Sequence, residues 1–198
     1  MDIISASFAD DTIAWYENSG GPFWSISAIT DSADGAYSVF AADLDNDGDM
    51  DIISASANDD TIAWYENDGD ANSWSASDIA TDADGAWSVF AADMDNDGDM
   101  DIVSASATDN TIAWYENDGA ADPSWSASDI ATSVSGARSV FAADIDGDGD
   151  LDVISASYAD NTIAWYETSV IPEFSNILMP IVSVLAIVAL NYRRRNIQ

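Results

Sequence analysis

The fold of this chain is decided by one acidic stretch, Asp43-Leu-Asp-Asn-Asp-Gly-Asp-Met-Asp51. It recurs as Asp93-Met-Asp-Asn-Asp-Gly-Asp-Met-Asp101 and as Asp144-Ile-Asp-Gly-Asp-Gly-Asp-Leu-Asp152. Each copy packs five carboxylates into nine residues, and two carboxylates ~4 Å apart repel each other by up to a few kcal/mol at a dielectric of about 20. A dication removes that repulsion, and calcium suits such a loop because it takes roughly 6–8 oxygen ligands. The sequence therefore predicts up to three calcium ions.

Other interpretations of these loops fit less well. Acidic turns that hold no metal are one alternative, but the carboxylates alternate at ligand spacing in all three copies. A generally charged, halophilic surface is another, but Asp far outnumbers Glu and fifteen Asp lie in the three loops. An EF-hand needs flanking helices and a Glu at the twelfth loop position, where this chain has Ser54, Ser104 and Ser155.

The composition excludes several classes of function. The chain has 198 residues, enough for one sizeable domain and a tail, and contains no Cys, His or Lys. Its formal net charge of −33 repels phosphate backbones, so we expect no nucleic-acid partner. The absence of Cys removes disulfides and thiol chemistry and leaves the redox compartment open. The absence of His removes the commonest general base.

The acidic loop belongs to a longer repeat, whose period is 50 and then 51 residues. No helical period appears before residue 170, and each unit contains four short runs rich in Ile, Val, Phe, Trp and Tyr. In one complete unit the predicted strands are Ser88–Ala92, Met100–Ala107, Thr111–Glu116 and Trp125–Ala131. These runs are apolar on both faces, as in a sheet packed between two neighbours. The pattern predicts an all-β fold, a β-propeller of about four partial or complete four-stranded blades.

The repeats divide the chain into blades. The predicted limits are 1–36 for an incomplete first blade, 37–86 for the second, 87–137 for the third and 138–169 for an incomplete last blade. Met1-Asp2-Ile3-Ile4 aligns with Met50-Asp51-Ile52-Ile53, so the first unit lacks its innermost strand and the last lacks its outermost. Open sheet edges are a liability. We expect an N-terminally truncated piece of a larger propeller, or a partial propeller that closes by self-association.

The C-terminal tail forms a separate module. A linker is predicted over 170–176, a transmembrane helix over 177–192 and a basic cytoplasmic tail over 193–198. The apolar segment from Phe174 to Tyr192 is 19 uncharged residues long, about 28 Å as a helix. Three arginines follow it, so the positive-inside rule places the repeats outside the cell. A buried core helix is the alternative.

The repeats resemble the VCBS and FG-GAP repeats of integrin-alpha-like β-propellers. The resemblance covers residues 1–167 and is carried by Ser-Val-Phe-Ala-Ala-Asp-x-Asp-x-Asp-Gly-Asp-x-Asp followed by a hydrophobic strand. It implies that the loop joins the first and second strands of a blade and binds calcium through side-chain oxygens, one backbone carbonyl and a closing carboxylate. The implied positions are Asp43, Asp45, Asp47, Asp49 and Asp51, with the turn at Gly48, then Asp93, Asp95, Asp97, Asp99 and Asp101, then Asp144, Asp146, Asp148, Asp150 and Asp152.

The tail resembles the PEF-CTERM sorting signal of archaeal surface proteins. The resemblance is carried by Pro172-Glu173-Phe174, the apolar segment after it and the arginine cluster. It implies recognition by an archaeosortase, removal of the helix and attachment of the protein to the cell envelope. An uncleaved membrane anchor is the alternative.

Catalysis is not expected from these residues. No His, Cys or Lys offers a base or a nucleophile, although a pair of Asp remains possible chemically. One serine recurs identically in every unit, as structural residues do: Ser5, Ser54, Ser104 and Ser155. One tryptophan does the same, and we interpret it as inter-blade core rather than a sugar-stacking platform: Trp15, Trp64, Trp114 and Trp165.

A binding function fits better. Strand order puts the calcium loops and the variable loops 18–23, 67–73 and 117–124 on one face, and in the resembled propellers ligands approach the other. There Tyr37, Trp87 and Arg138 occupy one repeat position, and we predict that they contact a partner, local packing being the alternative. The predicted function is a surface-anchored, calcium-binding adhesion or protein-interaction module whose partner is an extracellular protein or a glycan. The alternative is a glycan-binding or glycan-cleaving surface protein.

Overall fold

The computed structural model describes residues 1–69 and 73–168, and the regular elements in those ranges are all β-strands. Within them no helix has the length and apolarity needed to cross a bilayer. The predicted linker, transmembrane helix and basic tail lie outside the described residues, as do Pro172, Glu173 and Phe174. The all-β prediction is confirmed.

The strands form four antiparallel sheets in chain order, which we number 1 to 4. Sheet 1 contains β1 (Ile3–Ser7), β2 (Thr12–Glu17) and β3 (Ser25–Thr30). Sheet 2 contains β4 (Ala36–Ala42), β5 (Asp51–Ser56), β6 (Thr61–Asn67) and β7 (Trp74–Ala80). Sheet 3 contains β8 (Ala86–Ala92), β9 (Asp101–Ser106), β10 (Thr111–Asn117) and β11 (Trp125–Ala131). Sheet 4 contains β12 (Ala137–Ala143), β13 (Asp152–Ser157) and β14 (Thr162–Tyr166).

The strand prediction for sheet 3 is confirmed to within two residues at every boundary. Sheets 2 and 3 have four strands each, while sheets 1 and 4 have three. Among the described residues, sheet 1 begins with β1 and sheet 4 ends with β14, so the predicted blade limits stay a prediction. The arrangement is that of β-propeller-like blades.

Each sheet buries its second strand most deeply. All residues of β5 and of β9 are buried, because both faces of these strands are covered by neighbouring sheets. This explains why these strands show no alternation of buried apolar and exposed polar residues: Asp51, Ser54 and Ser56 of β5 are buried along with its apolar residues. The first strand of each sheet packs on the preceding sheet, so β4 contacts β1, β8 contacts β4 and β12 contacts β8.

One turn in each repeat is hydrogen-bonded to the segment that leads into the next sheet. Asp60 and Asn110 adopt left-handed backbone conformations, with φ of 59° and 65°, between the second and third strands of sheets 2 and 3. Their side-chain oxygens accept hydrogen bonds from Gly85 N at 2.7 Å and Gly136 N at 2.8 Å. Each acceptor thereby fixes the segment that leads into the following sheet.

The recurring tryptophan packs between sheets where a neighbour covers it. Trp64 lies in the core between sheets 2 and 3, and Trp114 packs on the core between sheets 3 and 4. Trp165 differs from the prediction, because half of its surface is exposed. No described sheet covers that face of sheet 4.

Candidate metal centres and an aromatic row

The acidic loops connect the first strand of a sheet to the second. The loop after β4 turns sharply because Asn46 and Gly48 adopt left-handed conformations, with φ of 61° and 98°. The loop after β12 uses Gly147 and Gly149 at the same positions, with φ of 82° and 102°. Only residues that tolerate positive φ fit there, which explains the Asn and Gly in the motif. This winding brings alternate side chains toward one centre.

Three carboxylates in each loop come together. Each contributes one oxygen to a group in which all atoms lie within 4.8 Å of one another. Oxygens that ligate one calcium ion at about 2.4 Å can be at most ~5 Å apart, so the separation fits that metal. The groups are Asp43, Asp45 and Asp47, then Asp93, Asp95 and Asp97, then Asp144, Asp146 and Asp148.

Backbone N–H groups orient these carboxylates. Asp45 Oδ1 accepts from Asp47 N at 3.2 Å, and Asp43 Oδ2 accepts from Gly48 N at 3.1 Å. The second oxygen of Asp43, Oδ1, is buried and has no hydrogen-bond partner among the described residues. A buried carboxylate oxygen without a donor is costly unless a cation satisfies it. The three carboxylates and this unpaired oxygen of Asp43 together fit a hard cation.

The electrostatics of the loops favour a cation as well. Partial burial raises the pKa of Asp45, and the negative charges of Asp47 and Asp43 raise it further. Burial and the charge of Asp97 raise the pKa of Asp95 in the second loop. The ionised loops are thus unfavourable by themselves, and a bound dication reverses the balance.

The last aspartate of each loop lies outside the three-oxygen group. Asp51 is fully buried at the start of β5, where its carboxylate accepts from Leu44 N at 3.1 Å and Asn67 N at 2.8 Å. Burial raises its pKa to about 6, although these two hydrogen bonds oppose the shift. Asp101 is held in the same way, and burial raises its pKa to about 6. At Asp152 burial also raises the pKa, but the bonds from Ile145 and Thr168 outweigh it and the net shift is downward.

These contacts give the last aspartate a structural role that the motif did not reveal. One carboxylate ties the start of the loop to the end of the third strand, so it fixes both segments around the cluster. The predicted ligation by Asp51, Asp101 and Asp152, and by the carbonyls of Asp49, Asp99 and Asp150, stays a prediction. The side chains of Asp99 and Asp150 instead accept hydrogen bonds from another loop.

That connection between loops was missed by sequence reasoning. Asn46 Nδ2 donates to Asp99 Oδ1 at 2.6 Å, and Asn96 Nδ2 donates to Asp150 Oδ1 at 3.2 Å. Each bond joins the loop of one sheet to the loop of the next. A signal was present in the sequence, because the fourth loop position is Asn in the first two loops and Gly147 in the last.

The first residues of two variable loops lie beside the acidic loops. Asn67 and Asn117, which begin the loops 67–73 and 117–124, donate backbone hydrogen bonds to Asp51 and Asp101. Gly119 lies so close to the carboxylate of Asp99 that a side chain at that position would collide with it. One end of the sheets therefore carries both sets of loops.

The opposite end carries a continuous row of stacked side chains. Tyr37 and Trp87 are parallel, with ring centroids 3.8 Å apart, and the Arg138 guanidinium lies 4.2 Å from the Trp87 centroid. Arg138 also lies 4.2 Å from the ring of Tyr158, and Phe8 lies 4.7 Å from Tyr37. We call these five residues the aromatic row.

A β-bulge positions the centre of this row. In the pairing of β4 with β5, Ala36 and Ser38 pair with Ser56 and Ala55, so Tyr37 is an extra residue in the register. Trp87 and Arg138 occupy the same place in β8 and β12. A bulge turns its extra residue away from the regular pleat. The three predicted contact residues are thus brought together, although they stack on one another.

The row and the acidic loops occupy opposite ends of the sheets. Tyr37 lies at the start of β4 and Asp43 directly follows its end, a distance of about 20 Å along the strand. Sequence reasoning missed Phe8 and Tyr158, the outer members of the row. Their equivalents in sheets 2 and 3 are Ala57 and Ala107, so the contrast in size within the repeat was the available signal.

A cavity of about 400 Å³ opens between sheets 1 and 2. Its lining is mostly apolar and includes Trp15, Met50 and Trp74, together with Asp2 and Asn67. Trp15 Nε1 donates to Asp2 Oδ2 at 3.2 Å. Trp74 Nε1 is buried and has no hydrogen-bond partner among the described residues.

Comparison with known proteins agrees with the repeat seen in the geometry. A family model described as FG-GAP-like repeat matches the chain three times, over residues 1–54, 43–104 and 93–155. The second and third matches begin at the first aspartate of an acidic loop. A search of curated proteins gives no match.

Proposed function

This chain belongs to the FG-GAP-like repeat family, and on that premise we propose that it is a calcium-binding β-propeller that acts at the cell surface in adhesion or protein interaction. The observation that carries the proposal is the oxygen cluster that recurs in three sheets. Its donors are all carboxylates, and Asp43 supplies a buried oxygen that no described residue satisfies. Such a set suits calcium, which prefers oxygen ligands in a flexible loop.

In this proposal calcium acts on the structure. Each loop joins the first and second strands of a sheet, so a bound ion fixes the link between them. The bond from Asn46 to Asp99 extends that order to the neighbouring sheet. Calcium would thereby hold the sheets at fixed positions and keep the opposite end of the molecule rigid.

The aromatic row is the proposed contact surface. Tyr37, Phe8 and Tyr158 are all more than one third exposed, so the row faces solvent as well as itself. Arg138 is the single lysine or arginine within residues 1–168 and lies at the surface of a strongly acidic molecule. Aromatic rings beside an arginine suit an extracellular protein that offers apolar and acidic groups. The stacking also supports the simpler alternative that the row only stabilises this end of the sheets.

A more specific assignment of the protein rests on its repeats and on its C-terminal tail. The assignment to VCBS repeats is proposed from the repeated acidic motif of residues 1–167. An archaeal origin and a PEF-CTERM signal are proposed from Pro172-Glu173-Phe174, the apolar segment 177–192 and the arginines that follow it. The membrane, directly or after processing by an archaeosortase-like enzyme, would then be a partner. The repeats would stand on the outer side.

We propose no catalytic role. The recurring serine contacts a tyrosine hydroxyl of the neighbouring strand, at 3.4 Å for Ser54 and Tyr65 and at 3.3 Å for Ser155 and Tyr166. Such repeated pairs support a structural role for these hydroxyls. The acidic residues are better used as ligands than as an isolated acid and base pair.

Bead attachment tests the adhesion proposal. Beads coated with the full chain should attach to a surface of extracellular proteins in calcium, and chelation should reduce attachment. Trp87→Ala should reduce it too, whereas Phe23→Ala, which removes an exposed aromatic ring outside the row, should not. Equal attachment of the wild type and Trp87→Ala, with both proteins folded, would end the assignment of the row as contact surface.

Glycan binding is a second candidate, and the cavity between sheets 1 and 2 favours it. Indole rings and polar groups often line sugar sites, and here Trp15 and Trp74 lie beside Asp2 and Asn67. The partnerless Trp74 Nε1 is a donor suited to a hydroxyl oxygen. A glycan array with the wild type and Trp74→Ala separates the two candidates, because sugar binding that depends on Trp74 supports the second.

A further inference from the structure

The outward face of sheet 4 exposes side chains that the inner sheets bury. Ile163 is 79% exposed, while its equivalents Ile62 and Ile112 are 0% exposed. Ile145 is 48% exposed, while its equivalents Leu44 and Met94 are 1% and 4% exposed. Phe141 and Trp165 are also half exposed. We call Phe141, Ile145, Ile163 and Trp165 the leading face.

The outward face of sheet 1 shows the complementary pattern. Ile3 is 51% exposed, and its equivalents Ile52 and Ile102 are 3% and 0% exposed. Trp24 is exposed, whereas Trp74 and Trp125 are partly buried at the same repeat position. Tyr16 is partly buried, whereas Tyr65 and Tyr115 are buried. We call Ile3, Tyr16 and Trp24 the trailing face.

The interior of the molecule shows what covers each kind of face. Between sheets 2 and 3 one core cluster joins the leading-face residues Leu44, Ile62 and Trp64 to trailing-face residues of sheet 3, namely Ile102, Tyr115 and Trp125. Between sheets 3 and 4 a second cluster joins Met94 and Ile112 to Val153 and Tyr166. A leading face is therefore covered by a trailing face wherever two sheets meet.

We propose that the leading face of sheet 4 docks onto the trailing face of sheet 1 in a second copy of this chain. The contact would repeat the interface already present between sheets 2 and 3. It joins two different surfaces, so it either closes a ring or extends. The described residues of two copies contain eight sheets, within the range of about 4–8 blades that closed propellers use, so a closed dimer is the assembly that we propose.

The repeat also predicts a specific hydrogen bond across this contact. Between sheets 2 and 3, Asn117 Nδ2 donates to Leu44 O at 2.8 Å. The equivalent positions at the two ends are Asn18, which is exposed, and Ile145. Asn18 of one copy should therefore donate to the backbone carbonyl of Ile145 in the other.

Charge opposes this association. Two chains of net charge −33 repel each other, and screening at physiological ionic strength acts over about 8 Å. Association should therefore strengthen as salt or calcium is added. An interface stabilised by apolar contact survives such additions, whereas one made of exposed ion pairs weakens.

Cysteine pairing tests the contact, because the chain contains no native Cys. The full chain, kept in detergent for its apolar segment, carries Asn18→Cys and Ile145→Cys together and is oxidised. Disulfide-linked dimers are expected. The matched control pairs Ile145→Cys with Asn67→Cys, the same repeat position one sheet further, and should give few dimers.

A charged substitution separates this contact from association through the tail. Ile163→Glu places a carboxylate on the leading face at an exposed position, so the monomer should fold as before. It should reduce the yield of dimers by about tenfold or more, since an unpaired carboxylate is costly to bury. Light scattering of the Cys-free wild type should show a dimer that this change converts to monomer. A monomeric wild type, or dimers that persist in Ile163→Glu, would overturn the proposal.

Discussion

At the scale of single residues, aspartates of one loop do two different things. The carboxylates of Asp43, Asp45 and Asp47 face one another across a space that suits a cation. The carboxylate of Asp51 faces backbone N–H groups and fixes the loop on its strand. One residue type serves both needs because an ionised carboxylate accepts from donors and ligates metals equally well.

Replacing one cluster carboxylate should remove one calcium site. In Asp45→Asn the side-chain oxygen still accepts from Asp47 N, so the loop keeps its shape but loses a charge. Isothermal titration calorimetry should show that the number of ions bound falls from three to two. Asp78→Asn, an exposed change outside the loops, should leave it at three. Full stoichiometry in Asp45→Asn would contradict the assignment.

Gly48 should be needed because its backbone has a positive φ, and not because a side chain would collide with its neighbours. Gly48 has φ of 98° and no atom within 4 Å of an added Cβ, so Gly48→Ala meets no clash but strains the backbone. A loss of about 1–2 kcal/mol is expected, in folding stability or in calcium affinity. Chemical denaturation with and without calcium measures both. Gly21→Ala, which has equal space and no positive φ, should change neither.

The cluster of three carboxylates could be predicted from the sequence because its members are neighbours in one short loop. Alternation at ligand spacing is a local property, and three copies make it unmistakable. The hydrogen bond from Asn46 to Asp99 could not be predicted, because these two residues are 53 positions apart in the sequence. The burial of Asp51 could not be predicted either, because the sequence around an aspartate at the start of a strand does not show which sheet will cover it.

At the scale of elements, the strands could be predicted from the repeat in the sequence, whereas the β-bulges could not. Four copies of one strand pattern fix boundaries closely. The extra residue at Tyr37, Trp87 and Arg138 depends on how the first strand pairs with the second, which no single strand records. Variation at this position was visible, but its stacking needed the sheets to be placed side by side.

Asn117 should contribute more to stability than Asn67, its equivalent in sheet 2, because Asn117 also bonds to a neighbouring sheet. Asn117 Nδ2 donates to Leu44 O and also to Met100 O at 3.1 Å, while Asn67 Nδ2 donates to Met50 O at 3.3 Å, within its own sheet. Asn117→Ala should lower the free energy of unfolding by about 1–3 kcal/mol, because buried carbonyls lose their donors. Asn67→Ala should cost less. Urea denaturation of the two variants measures the difference, and equal losses would contradict an inter-sheet role.

At the scale of the whole molecule, acidity and packing oppose each other. The chain carries a net charge of −33, yet its sheets pack through apolar faces that need close approach. Self-repulsion of that size destabilises a compact state. The proposed ions lie at one end of every complete sheet, where the charge is densest, so calcium is expected to control stability globally.

Chelation should therefore lower the melting temperature of the folded repeats, and added calcium should restore it. A ligand at a hundred times its dissociation constant adds about 2.7 kcal/mol for each site. Extracellular calcium modules often bind at about 10⁻⁴–10⁻³ M, so a hundredfold excess corresponds to about 10–100 mM calcium. Circular dichroism in EDTA, calcium and magnesium measures the effect. Magnesium should restore less, because it keeps its waters and demands octahedral geometry. An unchanged melting curve in EDTA would contradict a metal-dependent fold.

The asparagine bridges between adjacent acidic loops make the three sites interdependent. The side chains of Asn46 and Asn96 donate hydrogen bonds to Asp99 and Asp150. An ion that orders one loop therefore also restricts the next loop before that loop binds its own ion. The second and third ions then meet a smaller entropic cost than the first. Saturation should be cooperative, with a Hill coefficient above one, so the protein would register calcium as a threshold and not as a gradual signal.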